Sequence, residues 1–173
     1  MLEELWEVVD ADGAPLGRVT PRSAPEFGPG EYHLVVGTCV IAGDGRILVT
    51  RRAPGKSWAG RWEFPAGSAL AGESGVLAAR RELAEETGID LPVAGFAPLS
   101  RVRESVKLFD LFVVEIDAVR EVVPQPGEVD DWAWVDADAV FGASRSVDFA
   151  LPWLPRLDAV ERLVRARIEC LRG

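Results

Sequence analysis

Apolar blocks along the chain are separated by clusters of glycine, proline and aspartate, and their spacing sets out most of the elements. "LWEVVD" (5–10) followed by "ADGAPLGRV" (11–19) reads as a strand, a turn at Asp12-Gly13 and a second short strand. Residues 20–30, "TPRSAPEFGPG", read as a connecting loop. "YHLVVGTCVIA" (32–42) is apolar for long enough to be a buried strand. After the turn "GDG" (43–45), "RILVTRR" (46–52) is expected to return as its hairpin partner. The loop "APGKSWAGRWEFPAG" (53–67) carries a short strand around Trp62 to Phe64. The period then changes, and residues 74–87 form the first clear helix. "FAPLSRVRES" (96–105) and "VKLFDLFVVEI" (106–116) read as antiparallel strands around a tight turn. "PQPGE" (124–128) breaks the chain before a short strand, "WAWV" (132–135), and residues 155–171 make a terminal amphipathic helix. Mixed strands with two helices, and no internal repeat, predict a single α+β or α/β/α domain over 1–173, with 1–30 as an N-terminal hairpin and loop.

The helix at 74–87 poses the chemical question. At 100° per residue, Glu82, Glu85 and Glu86 share an arc of about 100°, because positions i, i+3 and i+4 lie on one face. Val76, Ala79 and Leu83 form a neighbouring stripe suited to a core, and Gly88 is placed to end the helix as a left-handed cap, with Ile89 packing back. Like charges at i,i+4 cost roughly 0.2–0.5 kcal/mol per pair, and acids are poorly placed near a helix C-terminus. A divalent cation reverses both penalties, and carboxylate oxygens are the ligands Mg²⁺ prefers. Taken alone, "ELAEE" would more simply be a solvated acidic face partnered by Arg80 and Arg81.

Charge and composition narrow the field. The formal net charge of −9 at pH 7 argues against a surface that coats nucleic acid. A small polyanionic substrate would need divalent cations or a local basic patch to be held. His33 is the single histidine, so neither a His-rich metal site nor a Ser-His-Asp triad with a spare histidine is available. Cys39 and Cys170 have neither disulfide-framework nor zinc spacing. The acidic start "MLEELWEVVD" does not resemble a signal peptide, and no run of 18 apolar residues exists. A cytoplasmic protein without a membrane span is the expectation.

The wider spacing decides what the glutamates are for. Gly67, Glu73, Arg81, Glu82, Leu83, Glu85, Glu86, Gly88 and Ile89 fit G-x5-E-x7-R-E-U-x-E-E-x-G-U at every fixed position, U being a bulky aliphatic residue. This is the Nudix box, and the chain resembles the Nudix hydrolases. The resemblance implies an α/β/α sandwich with a mixed central sheet, the box forming loop-helix-loop. It implies cleavage of a diphosphate linkage in a nucleoside di- or triphosphate derivative by water, with Mg²⁺ or Mn²⁺ as cofactor. Carried over by position, Glu82, Glu85 and Glu86 are metal ligands joined by the Gly67 carbonyl, and Glu73 pairs with Arg81 to hold the loop on the helix. The general base varies in the family between a box glutamate and an acid on a distant loop. Glu128 in "PGEVDDWAWV" is the distant candidate, as base or extra ligand, against a plain solvated loop acid.

Arg51, Arg52, Lys56 and Arg61 form the dense basic patch of the first half, with Arg52 a phosphate contact by resemblance. Arg51, Arg52, Lys56 and Trp58 are therefore the substrate-binding candidates, Trp58 either stacking on a base or packing its loop. His33 reads as structural. "WEVVDADGAPLGRV", "YHLVV", "ILVTRRAPGKSWAGRW" and "LPWL" resemble the isopentenyl-diphosphate isomerase-like branch over roughly residues 5–155. That isomerase needs a catalytic cysteine and, two residues on, a metal-binding histidine, where this chain has Ala66 and Ser68. The expected activity is thus hydrolysis, with a nucleotide-sensing module or an isomerase as the alternatives. The expected partner is a small nucleotide derivative, and the N-terminal hairpin offers a route to a homodimer.

Overall fold

The alternation in residues 107–116 becomes the middle of a sheet covered on both faces. In this strand, β8 (Lys107–Ile116), Phe109, Leu111 and Val113 join one core cluster, while Phe112, Val114 and Ile116 join the other. A period of two with both faces apolar is the signature of a strand buried between layers. The computed structural model describes residues 3–143 and 145–173, so the first two residues of the expected N-terminal segment lie outside it.

The chain begins with the hairpin β1 (Leu5–Val9) and β2 (Pro15–Pro21), an antiparallel pair. Its turn is made by Asp10, whose carboxylate accepts the N–H groups of Asp12 and Ala14 at 2.9 Å, with Gly13 at φ 86°. The main sheet follows: β3 (His33–Ala42), β4 (Ile47–Arg52), β5 (Trp62–Glu63), β6 (Ala66–Ser68), β7 (Ala97–Glu104), β8 and β9 (Val129–Val135). Its order is β5-β4-β3-β8-β7, with β6 added to β3 and β9 to β4. β3 and β8 run parallel over their whole length, from His33 opposite Lys107 to Ala42 opposite Ile116. The other pairings are antiparallel, so the sheet is mixed.

α1 (Gly75–Thr87) covers one face and buries Ala78, Ala79 and Leu83. It ends at Gly88, φ 72°, whose N–H bonds Ala84 O, and Ile89 is buried beside it. α2 (Ala137–Phe141) and α3 (Trp153–Arg172) cover the opposite face, α3 burying Trp153, Leu157, Val160, Val164 and Ile168 at helical spacing. The result is the α/β/α sandwich. Each large apolar side chain so enclosed, such as Phe64, contributes on the order of 1.5–3 kcal/mol.

The expected hairpin of residues 32–52 forms at its turn but extends no further, and the expected terminal helix is longer. β3 and β4 meet only at the turn, where Ile41 faces Ile47. β9 pairs with β4 on its other edge along its whole length, Ile47 opposite Val135 through Arg52 opposite Val129, while past the turn β5 pairs with Thr50 and Arg51 and the start of β3 pairs with β6. The terminal helix starts two residues earlier than expected, at Trp153, and α2 and β6 are further elements that the pattern did not mark.

Candidate active site

The sandwich brings the box helix and the box loop together beside β3. β6 is short, but it pairs with β3 with Val36 opposite Gly67, which presents the backbone of residues 66–68 to α1. The absence of a side chain at Gly67 is used directly. A Cβ there would sit 2.1 Å from the Glu82 carboxyl carbon, so the carboxylate packs against the Gly67 backbone. One turn on, Glu86 accepts the N–H of Ala66 at 3.0 Å. The two glutamates clasp the loop from one face of the helix.

Their surroundings are electrostatically unfavourable. Glu86 is buried, and burial first, then the charges of Glu63 and Glu82, push its carboxyl well above the ordinary range. Burial also raises Glu82, with Arg81 opposing and Glu85 and Glu73 adding to the rise. Glu85 is half exposed. Arg81 organises the rest: it donates to both oxygens of Glu73 (2.9 and 2.8 Å), to Glu82 (2.8 Å), to Glu85 (3.1 Å) and to Ser68 O (3.0 Å). Glu73 accepts in addition the N–H of Leu70, tying loop to helix.

Whether these residues suit a divalent cation can be judged from the donors. Among the described residues no three acid, histidine or cysteine side chains converge as a ready-made cage, and Arg81 draws Glu82 and Glu85 to itself. The donor set is nevertheless hard oxygen throughout, and Glu86 has no cationic partner among the described residues to offset its burial. The missing side chain at Gly67 lets the Glu82 carboxylate lie against the loop backbone. That combination fits Mg²⁺ or Mn²⁺.

These groups form one end of a cleft of about 430 Å³. Arg52, Lys56 and Trp58 line it, and so do Glu63 and Glu128. Arg51 does not. Successive residues of β4 point to opposite faces, and Arg51 is taken up by Asp130 (2.8 Å) and Asp131 (3.4 Å) beside the Trp62 ring. Arg61 pairs with Asp148 away from the cleft. Arg52 faces the cleft with its donors committed, to Glu63 at 2.6 Å and to Ser57 O at 2.5 Å, so it braces the 53–61 loop. Lys56 pairs with Glu128 across the rim. Trp58 stands exposed with φ 60°, a backbone region that non-glycine residues occupy sparingly.

Glu63 is the cleft residue that the sequence pattern passed over. It is buried, accepts Arg52 and the indole N–H of Trp153 (3.2 Å), and acts electrostatically on Glu86. Its signal was a charged residue between Trp62 and Phe64 in a short strand, which acquires meaning only beside Arg52. His33 is buried at the cleft's far end under Trp6.

A family model described as NUDIX domain matches residues 31–157. The chain belongs to the Nudix family. It is 35% identical over 94 residues to an uncharacterised Nudix hydrolase of Listeria monocytogenes, covering 53% of this chain and 55% of that one. The chain thus spans about half the length of that Nudix relative. It is 34% identical over 155 residues to an isopentenyl-diphosphate Delta-isomerase of Leifsonia xyli subsp. xyli, covering 83% of each. A crystal structure from Deinococcus radiodurans shares the fold, with TM-score 0.69 at 19% identity over 94% of this chain and 98% of that one. The Nudix match therefore begins after the β1–β2 hairpin, whereas the isomerase match extends over most of the chain.

Proposed function

We propose that the whole chain acts as one domain that hydrolyses a diphosphate linkage in a nucleoside di- or triphosphate derivative, with a divalent cation. The observation that carries this reading is the clasp of Glu82 and Glu86 on the Gly67 loop: a half-buried and a buried carboxylate against the backbone of residues 66–67, with Arg81 pairing Glu82 and no cation pairing Glu86 among the described residues. Glu82, Glu85, Glu86 and the Gly67 carbonyl would hold Mg²⁺ or Mn²⁺. When bound, the ion supplies charge neutralisation at the phosphates and lowers the pKa of water. Glu73 and Arg81 keep the loop on the helix. Glu128, oriented by Lys56, accepts the proton of the attacking water. Trp58 offers an indole face to the base at the rim. A screen of nucleotides and nucleotide sugars, with released phosphate measured after phosphatase coupling, tests the reading, and silence across the screen would overturn it.

Metal should stabilise the fold, because a ligand confined to the native state adds RT ln(1 + [L]/Kd), roughly 2.7 kcal/mol at a hundredfold excess. The expected result is a higher melting temperature with Mn²⁺ or Mg²⁺. No shift, even with a non-hydrolysable nucleotide present, would count against the site.

The isomerase relatives favour a second reading, isoprenoid diphosphate isomerisation, and it is directly testable. Isomerisation requires a proton donor and acceptor on opposite sides of an allylic carbon, and Ala66 and Ser68 stand where the isomerase chemistry needs cysteine and histidine. Installing both in the double variant Ala66→Cys/Ser68→His should not produce isomerase activity, since His33 is the single native histidine and is buried. Conversion of isopentenyl diphosphate to its allylic isomer well above wild type would show that the scaffold, and not the box, sets the chemistry.

A further inference from the structure

The cleft extends past the box to a wall made of Trp6, His33 and Lys107. His33 and Lys107 face each other on the parallel strands β3 and β8. Trp6 lies flat on the His33 ring, with 4.0 Å between centroids and 5° between planes. β6, carrying Gly67, and β8, carrying Lys107, flank β3 on its two sides. The two ends are therefore two strand spacings apart, about 10 Å, and also three residues apart along β3, about another 10 Å. One diphosphate linkage does not bridge that distance.

The cations of the cleft differ in how far their charge is already cancelled. Arg22 is held by Glu4, Arg52 by Glu63, Lys56 by Glu128, Arg81 by Glu73 and Arg156 by Glu104. Lys107 is the one cleft cation outside the ion pairs formed among the described residues. In a chain of net charge −9, an anion gains most from a cation whose field is not already offset. A second, independent observation lies beside it. Nδ1 of His33 and Nε1 of Trp6 are buried without hydrogen-bond partners. Such groups are costly when left unmet, and in native structures each calls for an explanation. Burial, and then the charge of Lys107, bring His33 down to about 4, so at neutral pH the imidazole is uncharged and leaves Lys107 as the local cation.

Resting on the hydrolase reading, we infer that Lys107, flanked by Trp6 and His33, is a subsite for a second anionic group of the substrate, a phosphate or carboxylate on the moiety remote from the scissile diphosphate. The subsite selects among substrates that share the same reacting linkage. The β1–β2 hairpin takes part in that selection because Trp6 comes from it.

The test measures equilibrium binding to the full chain in EDTA at low ionic strength, which prevents turnover and limits screening. Two matched pairs serve as probes: coenzyme A against its dephospho form, and UDP-glucuronate against UDP-glucose. Wild type should bind the charged member of at least one pair about tenfold more tightly. Lys107→Met should reduce that preference to less than about twofold, and Lys107→Arg should keep it. A response in the first pair identifies a phosphate, and in the second a carboxylate. Lys107 is exposed, so its variants should fold. Wild type without preference in either pair, or a preference that Lys107→Met retains, overturns the subsite. Turnover of the four compounds with Mg²⁺ is scored separately. Its absence would count against the hydrolase reading and leave the binding result standing.

Discussion

Glu86→Gln should lower turnover by at least about a hundredfold, and in the metal-free protein it should raise the melting temperature. The two effects share one cause. Glu86 is buried at 5% exposure, beside Glu63 and Glu82, and its carboxylate has only the N–H of Ala66 to stabilise it. A neutral amide oxygen accepts that same N–H without the cost of a buried charge, but it cannot give a cation the charge that catalysis needs. Glu85→Gln should lower turnover comparably with little change in stability, because Glu85 is half exposed and touches Arg81.

The sign of the pH dependence follows from the raised Glu86 carboxyl. Below the ordinary 4.5 the group is protonated whether folded or not, and its burial costs nothing electrostatically. As the pH rises through the higher native value, the unfolded chain ionises more readily and native stability is lost. The gain in melting temperature from Glu86→Gln should therefore be near zero around pH 4 and grow toward pH 8, measured in EDTA. His33 works in the opposite direction: held down at about 4, it lowers stability as the pH falls from 6.5 toward that value. That term is common to both proteins and cancels in the difference. A gain independent of pH would show that Glu86 is not held charged at a cost.

The box was legible because its logic is local. Glu82, Glu85 and Glu86 meet through helix periodicity, Glu73 reaches Arg81 over eight residues, and Gly88 caps the same helix. The strands at 33–42 and 107–116 were legible as apolar runs, though nothing in them specified that they lie parallel. What eluded the pattern depends on distant partners. Glu63 gains its place from Trp153, 90 residues away, and Arg156 from Glu104, 52 residues away. The same holds for β4, whose turn into β3 is local while its pairing with β9 joins residues about eighty apart. Arg51 and Arg52 look equivalent in sequence. A strand separates adjacent residues onto opposite faces, and which arginine meets the cleft is decided by the sheet. Lys107 was unremarkable until the other cations of the cleft were each seen beside an acid.

Gly67→Ala should leave the fold standing and remove most of the activity. The added Cβ would fall 2.1 Å from the Glu82 carboxyl carbon and 2.2 Å from its nearer oxygen, so one of the two must move. What moves most easily is the end of a flexible side chain, and the cost in stability should stay within about 1 kcal/mol. The position Glu82 loses is the one against the Gly67 backbone, and turnover should fall by about a hundredfold through loss of metal-site geometry. Gly37→Ala, on the neighbouring strand, provides the contrast. Its Cβ would meet ring atoms of Phe109 at 2.8 Å and Trp153 at 2.9 Å, inside a packed aromatic cluster. Both rings are buried, and overpacking of that kind costs typically 1–3 kcal/mol, about 2–4 °C in melting temperature per kcal/mol for a chain of this size. Paired measurements of turnover and melting temperature should therefore separate the two glycines, one losing activity at constant stability and the other losing stability first. If Gly67→Ala retained turnover, the contact between Glu82 and the box loop would be packing alone, and the carboxylates that work on the metal would have to be sought among Glu85, Glu86 and Glu128.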